Sequence, residues 1–270
     1  MPPLPSFKNP PVVETVLGVE YAPIQGWGVP FLGLYWEVIR EEFPRFEVQA
    51  PIGSQIESFD QQLQPSAPSV QLLPVPPDPR VLFIARDDQR LIQLQHNRFI
   101  FNWRQGDAPR PYPRYEEFVR PGFETEWARF LGFLKTQSFD LPSAAQCEVT
   151  YVNHLPQGDG WETIEDWRKV FTGFGNASRP QFLPGWESFK FDANFAMPEQ
   201  RGRLHVSAQH AVRLSDQKQV IVFTLTARGK PESIDTAGVL KWFDLGREWV
   251  VRGFTDLTSD AMHKTWGRLS

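Results

Sequence analysis

The chain has 270 residues, 41% hydrophobic and 22% charged, the make-up of a folded globular protein, which excludes global disorder. A net charge of −4 argues against coating nucleic acid or anionic membrane through bulk charge. One cysteine, Cys147, allows no intrachain disulfide and no multi-cysteine metal site.

Proline-rich residues 2–11 read as extended chain. From Val13 the pattern alternates: Val13, Leu17, Val19 and Tyr21 point one way, Glu14, Gly18 and Glu20 the other, as in a half-buried strand. Pro30 opens a helix whose stripe runs Phe31, Leu34, Tyr35, Val38, Ile39 and Phe46, interrupted by Pro44. Residues 47–79 are irregular, with one short strand expected at Val70 to Leu73. Val81 to Ala85 and Leu91 to Gln95 form a hairpin across Asp87-Asp88, and Arg98 to Arg104 is a further strand. A long helix follows from Tyr115 to Leu134, with a kink or restart expected at Pro121, the kink favoured because the apolar stripe keeps its phase through the proline.

A strand from Cys147 to Leu155 then leads to a short helix through Ile164, Trp167 and Phe171. Strands at Phe189–Phe195, Arg203–Leu214 and Gln219–Arg228 precede a last helix, Val239 to Leu257. On that helix Gly246 and Gly253 lie on the apolar face, where they let the backbone approach a sheet. Gly246→Ala is expected to cost little there or even to stabilise, and Gly246→Leu to overpack.

The order strand, helix, strands, long aromatic helix thus occurs twice, with Val19-Glu20-Tyr21 before Gly26-Trp27 and Val149-Thr150-Tyr151 before Gly160-Trp161. The expected fold is α+β: two β-α-β-α halves, 1–139 and 145–270, packed as one unit. Their antiparallel sheets are covered on one face by the long helices, in a TATA-binding-like or helix-grip-like arrangement. Chance similarity of two small α+β modules is the alternative to duplication.

No phosphate-binding glycine loop, nucleophile elbow or dinucleotide fingerprint occurs, so no cofactor and no catalytic residue is assigned. His205 and His210, five apart in a strand, fall on opposite faces and share no metal. What stands out is the sheet face turned away from the helices. Phe99, Phe101 and Trp103 point inward, which leaves Arg98, Asn102 and Arg104 outward, and the same alternation turns His205, Gln209 and Arg228 outward. These six are the candidate binding residues, because such side chains suit anions, carboxylates or base edges. A merely solvated antiparallel face is the plainer reading.

Asn9-Pro-Pro-Val-Val-Glu-Thr-Val-Leu-Gly-Val, Leu94 to Arg104, Cys147-Glu-Val-Thr-Tyr-Val-Asn-His154 and the end at Trp266-Gly267 resemble a sporadically distributed family of bacterial proteins of about this length. The resemblance spans most of the chain, Arg98-Phe-Ile-Phe-Asn-Trp-Arg being its most specific part. It implies a bacterial cytoplasmic protein and brings no activity, cofactor or site residue with it. The lack of a signal-peptide pattern and of any apolar window near ~20 residues points to the cytoplasm as well, without a membrane partner.

The expected function is therefore non-catalytic binding of a protein partner or small anionic ligand on an open polar sheet face. On that view Arg98→Glu with Arg104→Glu abolishes capture and leaves stability nearly unchanged. A nucleic-acid-binding saddle is the alternative, disfavoured by the acidic pI. An enzyme with a site between the halves, using His154, Glu148 and Arg228, comes last.

Overall fold

A computed structural model of the protein describes residues 3–59, 78–106, 111–173, 182 and 184–270. Ten strand residues of alternating character, Val12–Tyr21 (β1), meet the thirteen of Ala144–Pro156 (β6) at the middle of one antiparallel sheet. The other strands are Arg45–Gln49 (β2), Arg80–Ile84 (β3), Arg90–Gln95 (β4), Arg98–Arg104 (β5), Lys190–Ala196 (β7), Arg203–Val212 (β8) and Gln219–Gly229 (β9). The nine lie in the order β2-β3-β4-β5-β1-β6-β9-β8-β7. Both halves of the chain therefore contribute to one continuous sheet, and the fold is α+β. Read outward from the centre, β1 is followed by β5, β4, β3 and β2, and β6 by β9, β8 and β7.

Helices Val29–Ile39 (α1), Arg120–Thr136 (α2), Trp167–Val170 (α3), Thr236–Leu257 (α4) and Asp260–Thr265 (α5) complete the order. α2 and α4 lie on one face because the sheet turns its aromatics there. The Phe99 ring meets Trp127 at 5.2 Å and Phe130 at 5.3 Å, and Tyr35 of α1 meets Phe130 at 5.5 Å. Phe123 of α2 stands edge-on to Phe243 of α4 at 4.7 Å, which ties the two helices together. Each such ring stabilises the fold by burial, on the order of 1.5–3 kcal/mol, plus the directed ring contact.

Several expectations change. The helical stripe drawn to Phe46 stops at Ile39, and Phe46 lies in edge strand β2, where Pro44 ended the helical register. The strand expected at Val70 to Leu73 lies outside the described residues. The helix from Tyr115 begins as a π turn, Tyr115–Val119, before the α-helix restarts at Arg120 with Pro121 in its first turn. Pro121 has no N–H to give, and the wider turn lets Arg120 donate to the Tyr115 carbonyl instead. The second short helix is shorter than its stripe suggested, a 3-10 turn followed by the four residues of α3. α4 starts where Asp235 accepts a hydrogen bond from the Gly238 N–H at 2.8 Å.

Gly246 of α4 sits where expected, but even a methyl is too large for it. A Cβ there stands 2.8 Å from Cζ3 of Trp242 and 3.0 Å from Cγ2 of Val149. The Trp242 ring is buried and its indole N–H is held by the Arg201 carbonyl at 3.3 Å, so it has little room to yield. At Gly253 the collision is with the end of the Leu204 side chain, which can rotate. Gly246→Leu is therefore expected to lose about 1–3 kcal/mol. Gly246→Ala destabilises as well, although alanine gains about 1 kcal/mol in helix propensity. Gly253→Ala stays closer to the parent in urea denaturation, and equal midpoints for all three would contradict this packing.

Candidate functional site

The face of the sheet away from α2 and α4 is polar because every second residue of each strand points to it. Cross-strand pairing aligns Gln95 with Arg98, Arg98 with Glu20, and Glu20 with Gln146. Further out, Glu148 pairs with Arg228 and Arg228 with Arg203.

This face was expected to be open, and part of it is not. Residues 50–59, leaving β2, run across it from β4 over β5 and β1 to β6 and on to β8. Gln95 grips the strap by both ends of its amide. Its Oε1 accepts from the Ile52 N–H at 2.9 Å, and its Nε2 donates to the Ile52 carbonyl at 3.0 Å. Gln146 does the same three strands away, accepting from the Glu57 N–H at 2.8 Å and donating to the Gln55 carbonyl at 2.8 Å. Between them Ser54 donates its hydroxyl to Glu20, and Arg98 reaches the Gly53 carbonyl at 3.4 Å. At the far end Arg203 and His205 hold the Glu57 carboxylate, His205 Nε2 lying 2.5 Å from Oε1. The Phe59 ring lies under the Arg203 guanidinium at 4.6 Å. Burial alone would raise the Glu57 pKa, but the hydrogen bonds and charges of His205 and Arg203 outweigh it and hold the carboxyl below its ordinary range.

The six candidate residues divide into two groups. Arg98, Asn102 and Arg104 form one column on β5. Arg98 is buried against Glu20 at 2.5 Å beneath the strap. Asn102, 1% exposed, donates to Glu14 at 2.6 Å and accepts from Gln93 at 2.9 Å. Arg104, at the rim, donates to the Asp88 carboxylate at 2.7 Å, and the hydrogen bonds of Arg45 and Arg104 hold that carboxyl low. His205 and Arg228 lie across the sheet, with Arg228 Nε donating to Glu148 at 2.6 Å. Gln209 is exposed on β8 opposite Lys190, about 13 Å along the strand from His205. His154 is six residues along β6 from Glu148, about 20 Å, so it does not join the Glu148–Arg228 pair.

Sequence reasoning passed over Gln95, Gln146 and Glu57. Alternation does turn Gln95 and Gln146 to the polar face, but no periodicity marks the strap that they hold. Burial pushes the Cys147 thiol well up, as fits a core side chain rather than a nucleophile. Among the described residues no cluster of three or more His, Cys, Asp or Glu side chains is placed to hold a metal, and no helix is long and apolar enough to cross a membrane. No protein-family model matches the chain, and no curated protein or solved structure matches it significantly.

Proposed function

We propose that this is a non-catalytic binding protein whose polar sheet face receives an extended, carboxylate-bearing segment of a protein partner in the place that residues 50–59 take. The observation that carries this reading is the manner in which the strap is held. Gln95 and Gln146 pair with backbone N–H and carbonyl groups, which any extended chain offers. Arg203 and His205 then select for a carboxylate at one position. A phosphate backbone is the poorer occupant, because Arg98, Arg104 and Arg228 are each already matched by a carboxylate outside the strap, which leaves only Arg203 and His205 to meet it once Glu57 has left.

The finer fold reading belongs to the same proposal. The outward order β5-β4-β3 beside β1 and β9-β8-β7 beside β6 supports two duplicated halves in a TATA-binding-like saddle, with β2 added at one edge. Membership of the bacterial family that the chain resembles, and a cytoplasmic setting, complete it; the single buried thiol is consistent with both.

The test uses the full chain and a labelled peptide carrying residues 50–59. In the parent the strap competes, so the peptide sees only the fraction of molecules in which the face is free. Glu57→Ala removes the strap's charged anchor and is expected to tighten peptide binding about tenfold by fluorescence anisotropy. Adding Arg203→Glu should abolish it. The Glu57 pKa is lowered on folding, so the anchor is at full strength above about pH 4.5 and is lost as pH falls through the folded value. Protease cleavage within 50–59 should accordingly rise on acidification in the parent and stay flat in Glu57→Ala. Equal peptide affinity for parent and Glu57→Ala would defeat the proposal.

A further inference from the structure

On the opposite side of the sheet from the strap, where α4 diverges from the π turn, a cleft of about 440 Å³ lies over the β1–β6 seam. We infer that it binds a small monocarboxylic acid with an apolar body. Its volume is in the range of small-molecule sites, and its lining has a polar and an apolar part.

The polar part is built round Arg247 of α4. The guanidinium lies over the Tyr115 ring, 4.8 Å from its centroid, and its Nε is buried without a hydrogen-bond partner. The side chain as a whole is 19% exposed and lines the cleft, where the guanidinium offers charged donors to an incoming carboxylate. The guanidinium's Nη1 is meanwhile taken by Glu116 at 2.5 Å, but the Glu116 side chain is 59% exposed. An ion pair with one end in water is weak and exchangeable. Tyr112 and Tyr151 add a hydroxyl pair at 2.9 Å, and the hydroxyl that accepts keeps its own proton to donate. Burial raises the Tyr151 hydroxyl pKa, and the Arg247 guanidinium and the Tyr112 hydroxyl, both hydrogen-bonded to it, pull it back down, which ties the hydroxyl pair to the arginine.

The apolar lining includes Val250 and Phe254 of α4, Pro10, Pro11 and Phe7, whose ring stands edge-on to Phe254 at 5.7 Å. The mouth is fixed rather than loose. Arg114, at a left-handed φ of 74°, ties the N-terminal segment across it through the Phe7 carbonyl at 3.0 Å. The π turn that begins at Tyr115 aims Tyr115 and Glu116 at Arg247, and such turns are frequent at functional sites. The lining sets Arg114 and Arg247 against Glu116 and Glu117, a balance that suits a single negative charge better than a phosphate dianion. The cleft shares no residue with the strap, so this site and the polar face stand or fall separately.

Octanoate is the probe, titrated calorimetrically into the full chain beside octanol and octylamine. Octanoate is expected to bind at least tenfold more tightly than either. Glu116→Gln, a change on an exposed side chain, should tighten octanoate binding several-fold by releasing the guanidinium. Arg247→Met should weaken it at least tenfold and leave octanol binding unchanged. Octanol binding Glu116→Gln as well as octanoate does, or no octanoate binding by that variant, overturns the assignment.

Discussion

Arg98→Met is expected to destabilise the protein by about 3–5 kcal/mol, because it leaves the Glu20 carboxylate buried without its counter-ion. The Arg98 and Glu20 side chains are 7% and 5% exposed, and their contact lies beneath the strap. Ser54 donates to the other Glu20 oxygen, but a hydroxyl does not replace a full charge. The joint change Arg98→Met with Glu20→Leu removes both charges and should recover most of the loss, since buried ion pairs are often no better than apolar replacements. The double reversal Arg98→Glu with Arg104→Glu, which an open face would tolerate, instead sets a second carboxylate beside Glu20 under cover. Arg104→Glu alone loses the half-exposed pair with Asp88, a class of contact worth about 0–1 kcal/mol, and the charge that faces Glu14 on β1. Urea denaturation separates these outcomes. Arg98→Met unfolding at the parent's midpoint would mean that the pair is solvated and the strap does not close over it.

The contrast between those two arginines shows where the sequence was legible. Alternation in Arg98–Arg104 assigns Phe99, Phe101 and Trp103 to the helices and Arg98, Asn102 and Arg104 to the far face, and the structure has that arrangement. The rule fixes direction, not depth. Arg98 is buried beneath a segment more than 40 residues away in sequence, Asn102 is buried between Glu14 and Gln93, and Arg104 lies at the rim. Ile52 to Phe59 carries no repeat and forms no ladder, so its course depends on the side chains of Gln95, Gln146, Arg203 and His205, which no local pattern brings together. β2 was missed for a related reason. Phe46 happened to continue the phase of α1, and only Pro44 and pairing with β3 override that phase. The tyrosine cleft is formed by Tyr112, Tyr151 and Arg247 from three separate segments. Its one local sign was Pro121, which announced an irregular helix start without saying that the irregularity would aim Tyr115 and Glu116 at Arg247.

Glu126→Gln is expected to stabilise the protein, and only above mildly acidic pH. Glu126 lies on α2, 3% exposed, on the helix that buries Phe123, Trp127 and Phe130. Burial pushes its carboxyl from 4.5 up to about 7; Arg129, 3.2 Å away, pulls it down, and Glu42 pushes it further up. The folded chain thus keeps a proton that the unfolded chain has released. As pH rises from 4.5 towards 7 the unfolded state binds fewer protons than the folded one, so stability falls across that window and levels off above it. At about 1.4 kcal/mol per pKa unit, the burden at pH 8 is on the order of 3 kcal/mol. Glutamine has the same shape and no charge to desolvate, and Arg129 keeps its bond to Glu42 at 2.7 Å. The difference in unfolding free energy between Glu126→Gln and the parent should therefore be near zero at pH 4, grow through pH 5–7, and reach its plateau by pH 8. Using the difference cancels the opposite trend from the lowered carboxyls of Glu57, Asp87 and Asp88. A gap that does not change with pH would show that Glu126 stays ionised in the fold, with Arg129 rather than burial setting its state.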